Sequence, residues 1–170
     1  QWASAYAEAA LGLSKTFGDL IGPCMFAITI GISRLIFGKY GEKMDLMKFM
    51  TGSGILCVIC YLLTTLSSNL VIGLTGCIVC GFSVGIMWPG TISITSKKMP
   101  AGGTAMFALL AMAGDLGGSI GPGIVGYVTQ NSDNNIRVGM GIGLIFPLVL
   151  LIMLFILCKG KKTQESLKTF

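Results

Sequence analysis
Few residues in this chain could do chemistry, and most of them lie inside long apolar runs. Asp115 stands in the run 104–129, with Gly114, Gly117, Gly118 and Gly121 around it. It is 11 residues past Thr104, so about 16 Å into a helix at 1.5 Å per residue. A carboxylate at that depth costs roughly 2.5–3.5 kcal/mol on insertion scales and is a functional candidate by default. It could bind a coupling proton or cation, or a polar group of a substrate. It could equally be a structural aspartate hydrogen-bonded to neighbouring helices. Arg34, about 15 residues into its own run, either snorkels to the nearer interface or pairs with a carboxylate. Trp88, followed by Pro89 and Gly90, either lines a cavity or anchors at an interface. Pro89 should bend its helix.

The cysteines form a second constellation. Cys57-x2-Cys60 and Cys77-x2-Cys80 are separated by 16 residues, a spacing found in structural zinc sites. Both pairs lie inside apolar runs, however. Thiolate formation is unfavourable there, and zinc knuckles sit on turns, so the four read as small packing residues rather than metal ligands or disulfide partners. The chain contains no histidine, which removes histidine triads, acid–base pairs and ligand sets. The segment GISRLIFGKY has the wrong glycine spacing for a phosphate loop and has Tyr40 in place of Ser or Thr. No cofactor and no metal are implied, and an enzyme is disfavoured.

The elements that carry these residues follow from composition. Of 170 residues, 53% are hydrophobic and 11% charged, against roughly 25% charged in a soluble domain. The 25 glycines suit packed membrane helices. The net charge of +5 falls in the gaps between apolar runs and forms no face, which argues against nucleic acid as a partner. The runs cover about 19–38, 46–66, 70–96, 104–129 and 137–158. Each has the roughly 20 residues that cross a bilayer as a helix, and none shows strand alternation. The expected fold is an all-α polytopic bundle in a lipid bilayer, with five complete transmembrane helices and the end of a sixth at residues 1–6. Residues 159–170 form a polar tail.

Alternating sides give an orientation. Lys39, Lys43, Lys48, Lys97, Lys98, Lys159, Lys161, Lys162 and Lys168 fall on one side, and Lys15 and Arg137 on the other, nine against two. By the positive-inside rule the first side, with the tail, is cytoplasmic. Glycines four residues apart recur at Gly18/Gly22, Gly81/Gly85, Gly114/Gly118, Gly117/Gly121 and Gly139/Gly143. Such pairs let helix backbones approach closely. The run from Gly117 to Gly123 should give a bendable helix.

The most polar stretch between two runs is GISRLIFGKYGEKMDLMK, residues 31–48. Within it Gly38-Lys39-Tyr40-Gly41-Glu42-Lys43 has the form G-x-x-x-acid-base. Gly38 and Gly41 would permit a tight turn. This segment resembles the loop motif of the major facilitator superfamily, found between helices 2 and 3 and again between helices 8 and 9. Glu42 replaces the commoner aspartate, and Asp45 stands where a glycine is usual. The layout of spans is similar to the C-terminal half of that superfamily, with the chain as a fragment covering the end of helix 7 and helices 8–12. The stretches LGLSKTFGDLIGP and MFALLAMAGDLGGSIGPG also look like bacterial members. The resemblance implies secondary transport of a small solute by alternating access in an inner or plasma membrane. Gly38, Gly41, Glu42 and Lys43 would gate; Asp115, Arg34 and Trp88 would bind the solute or a coupling ion. A preceding N-terminal half would complete the site. The alternative is a membrane scaffold or subunit that transports nothing. Transporter and scaffold differ in whether water reaches Asp115.

Overall fold
A computed structural model describes residue 8 and residues 14–41, 43–67 and 69–167; the side chains of 15, 17–19, 21, 70 and 158–167 lie outside that description. All regular structure among the described residues is helical. The helices are α1 (Lys15–Tyr40), α2 (Leu46–Leu66), α3 (Leu70–Gly85), α4 (Met87–Lys98), α5 (Gly103–Asn131), α6 (Ile136–Ile142) and α7 (Ile145–Leu167). Four stretches are long and apolar enough to cross a membrane: Leu46–Leu66, Val71–Lys98, Gly103–Asn131 and Ile136–Leu157. The 26 residues of α1 would extend about 39 Å, longer than the hydrocarbon core.

Two of the expected spans are broken, and proline places both breaks. A proline has no N–H for the carbonyl four residues earlier. For Pro89 that carbonyl belongs to Gly85, and the chain turns at Ile86 between α3 and α4. The ladder resumes where the Gly90 N–H donates to the Ile86 carbonyl at 2.8 Å. For Pro147 the carbonyl belongs to Gly143, where α6 ends. The Phe146 N–H takes it instead, at 3.2 Å in a tighter turn. Pro23 and Pro122 lie inside α1 and α5 without a break. The glycine-rich segment from Gly117 to Gly123 is thus continuous helix. The last helix also runs past the expected tail boundary, to Leu167.

Polar residues in the connections cap the helices. Asp45 accepts from the Lys48 N–H at 3.4 Å, Asn69 from Val71 at 2.9 Å and Asn135 from Arg137 at 3.1 Å. Each satisfies a donor that the first turn leaves free. Asp133 and Asn134 take left-handed φ of 51° and 57°, which their short side chains tolerate.

The bundle is organised around α2 and α3. Helix α3 packs on both α1 and α2, while α2 also meets α4, α6 and α7. Small residues set the α1–α3 approach. A side chain on Gly81 would meet the Phe26 carbonyl at 2.5 Å, and one on Gly85 the Ser33 Cβ at 2.8 Å. The Thr29 hydroxyl crosses the same seam to donate to the Ile78 carbonyl at 2.8 Å. One apolar cluster joins Leu46 and Met50 of α2 to Leu154 of α7, with Phe37 and Ile94 packed on it. It gathers the lysine-bearing ends of α1, α2 and α4 at one end of the bundle.

Candidate functional site
Helix α5 positions Asp115 near its middle, 12 residues from Gly103 and 16 from Asn131. This is the helix least covered by the rest of the chain: 11% of its apolar stretch is buried, against 33% for Leu46–Leu66 and 44% for Val71–Lys98. Residues 111–120 are exposed around the whole circumference. Asp115 itself is exposed and has no ion-pair partner among the described residues. Its carbonyl accepts the Ser119 hydroxyl at 3.0 Å.

Trp88 reaches the same level from the neighbouring element. It is the second residue of α4, just past the break, and 10 residues before Lys98 at that helix's end. That is about 15 Å of helix. A Cβ on Gly114 would lie 2.9 Å from Cζ3 and 3.0 Å from Cη2 of its indole. The ring therefore lies against the residue before Asp115, well inside the span, and this position does not suit an interfacial anchor. It is still 42% exposed, so one face of the ring is free. The proline-driven turn at Ile86 and the absence of a side chain at Gly114 together allow this contact. Sequence reading named both residues and had no signal that they meet.

Arg34 lies elsewhere. It is exposed on α1, six residues before Tyr40 ends that helix. No carboxylate among the described residues pairs with it. The structure therefore does not bring Arg34 together with Asp115.

The loop residues differ from expectation in detail. Gly38 is not in a turn: α1 continues to Tyr40, and a Cβ at Gly38 would meet nothing. Gly41 follows the helix with φ −60° and ψ −30°, a conformation open to any residue. The crowding there is with the Phe37 ring, whose Cε2 lies 2.9 Å from an added Cβ. Lys43 is exposed, and its N–H donates to the Tyr40 carbonyl at 3.0 Å. Glu42 lies outside the described residues. The acid that demonstrably starts the next helix is Asp45, whose carboxylate also lies 3.4 Å from Lys48 Nζ. The Lys48 N–H, first, and then its ammonium hold the Asp45 carboxyl below the ordinary aspartate range.

The four spaced cysteines are all buried at the α2–α3 interface. Cys57 Sγ and Cys80 Sγ lie 3.9 Å apart, and Phe26, Tyr61, Val79 and Met87 pack around the cluster. Among the described residues no three ligand-type side chains converge as a metal site would need. In this position the thiols act as small apolar fillers.

The family model described as Major Facilitator Superfamily matches residues 1–122, well over half of the chain. The match ends in α5, seven residues past Asp115. No curated protein and no solved structure matches.

Proposed function
This chain belongs to the major facilitator superfamily, a family of membrane transporters, and on that premise we propose that it carries a small solute by alternating access, coupled to a proton or cation. Asp115 binds the coupling ion or a polar group of the solute. Trp88 forms the adjoining wall, offering an apolar face beside the carboxylate. The observation that carries this reading is the contact of the Trp88 indole with Gly114, which sets an aromatic face and an unpaired acid side by side at mid-helix. Solute sites in such proteins lie near the bilayer midplane, between two helix bundles.

The exposure of α5 all around residues 111–120 supports a second bundle facing it, supplied by a preceding half of the protein. The lysine-rich end faces the cytoplasm of an inner or plasma membrane, as nine lysines against two basic residues favour. The segment Gly41, Glu42 and Lys43 with Asp45 gates at that end. Gly38, a helical residue, contributes only a smooth helix surface there, and Arg34 sits at headgroup level rather than in the site.

The test uses the full-length protein in proteoliposomes loaded with a pH-sensitive dye. Solutes are screened for those that drive proton movement, and Asp115→Asn is compared with the unaltered protein. Loss of proton movement at unchanged thermal stability supports the coupling role. Undiminished coupled uptake by Asp115→Asn overturns it.

A further inference from the structure
The lysine-bearing end of α2 carries a second feature, unconnected to Asp115. An open-sided groove of about 510 Å³ runs between α2 and α3. Phe49, Gly52 and Leu56 of α2 and Phe82 of α3 form its walls, and Asp45 and Lys48 stand at its rim. Residues 48, 52 and 56 are successive turns of one helix face. From Lys48 to Leu56 the groove therefore descends about 12 Å along the helix axis. A Cβ on Gly52 would meet nothing within 4 Å, so the middle of the groove is open. Ser53, beneath it, is buried, and its carbonyl already accepts the Ser83 hydroxyl. The floor thus presents no unsatisfied polar atom, and the walls suit hydrocarbon.

The rim suits a phosphate. The Lys48 side chain is 86% exposed and Asp45 54% exposed. An ammonium has three donors; one is directed at Asp45, which leaves two for another acceptor. Segment 39–48 carries Lys39, Lys43 and Lys48 against Glu42 and Asp45, a balance of 3 − 2 = +1, and no further acid occurs before Asp115. A cation at headgroup level above an apolar slot two turns deep is complementary to one chemistry. We infer that this groove is a binding site for an anionic phospholipid, with its phosphate on Lys48 and an acyl chain along Phe49, Gly52, Leu56 and Phe82.

The site needs only that the chain spans a bilayer with α2 starting at a headgroup surface. It is independent of which side is cytoplasmic and of any transported solute. Basic residues beside membrane helices recognise anionic headgroups, each contributing an attraction that a neutral headgroup does not give.

The test places the full-length protein in nanodiscs with a photoreactive acyl chain on phosphatidylglycerol or on phosphatidylcholine, the probe being in both leaflets. Attached lipid is located by peptide mass. The phosphatidylglycerol probe should attach within residues 49–56. Lys48→Gln should lower that attachment about fivefold while leaving the phosphatidylcholine signal unchanged. Gly52→Trp, which fills the open middle of the groove, should abolish attachment of the acyl chain at 49–56. Equal attachment of both probes, or no effect of Lys48→Gln, would show an ordinary annular lipid and overturn the inference.

Discussion

The indole of Trp88 lies against Gly114, with Cζ3 only 2.9 Å from where a Cβ would be. This contact ties α4 to α5 and brings an aromatic face to the turn that carries Asp115. A branched side chain at 114 must displace the ring. Gly114→Val should destabilise the bundle by about 1–3 kcal/mol, the cost of overpacking. It should also shift the Trp88 emission, read against a Trp2→Phe background because Trp2 and Trp88 are the two tryptophans. An unchanged emission spectrum and melting temperature would place the ring elsewhere.

The α1–α3 seam gives a pair of opposite outcomes. Ser33 Oγ is fully buried and has no partner, whereas Ser83 Oγ donates to the Ser53 carbonyl. Ser33→Ala removes an unsatisfied hydroxyl and should leave stability unchanged or raise it by about 1 kcal/mol. Ser83→Ala leaves its donor site empty and should lower it by a similar amount. Thermal denaturation of the two variants in one detergent compares them directly.

Proline sets the two breaks, so removing it should mend them. Pro89→Ala restores an N–H for the Gly85 carbonyl and should join α3 to α4 as one helix. The ring of Trp88 would then leave Gly114. Spin labels on α3 and α4 should report a longer, narrower distance distribution, and any transport should fall with it. An unaltered distance would mean that packing rather than Pro89 makes the turn.

Asp45 titrates in the open, and its sign is fixed by its cap. The folded carboxyl lies below its ordinary value because the Lys48 N–H binds its charged form. Its contribution is present above the unfolded aspartate value of about 3.9 and is lost as pH falls through the lower folded value. Amide exchange at the start of α2 should therefore accelerate in acid. Asp45→Ala should show that fast exchange at neutral pH, and Asp45→Asn, which keeps the acceptor oxygen, should lie between. Equal exchange in all three proteins would remove the cap.

The cysteine spacing makes a prediction about metal. Cys57 and Cys80 touch at 3.9 Å, yet their surroundings are apolar side chains. Protein purified without chelator should hold well under one zinc per chain by elemental analysis. One zinc per chain would mean that the four thiols deprotonate inside the bundle.

The architecture was legible because the bilayer imposes it. Runs of some 20 apolar residues and lysines confined to alternate gaps leave few other folds than a helix bundle. Ser67, Asn69 and Asn135 marked connections that the structure uses as caps or turns. The breaks at Ile86 and Gly143 were only half legible. Pro89 announced a bend, but Pro23 and Pro122 carry the same chemistry inside unbroken helices. Pro147 had drawn no expectation at all. The roles of Gly38 and Gly41 were misread, since sequence shows glycine but not the φ it adopts, and both are helical or nearly so. Asp45 stood out as a departure from a loop pattern, and its capping bond was not foreseen. The meeting of Trp88 with Gly114 depends on how two helices cross, and that is set by tertiary packing which periodicity does not encode.

Solvent access at position 115 bears most directly on the transport reading. Asp115→Cys, in full-length protein with its native cysteines replaced, is treated with a membrane-impermeant maleimide, alongside Ile152→Cys on the exposed apolar face of α7. A transporter with its site at Asp115 should label at 115 and not at 152, and added solute should slow the labelling. If 115 stays as unreactive as 152, the carboxylate faces lipid or packed helix. A solute site at Asp115 and Trp88 would then be contradicted.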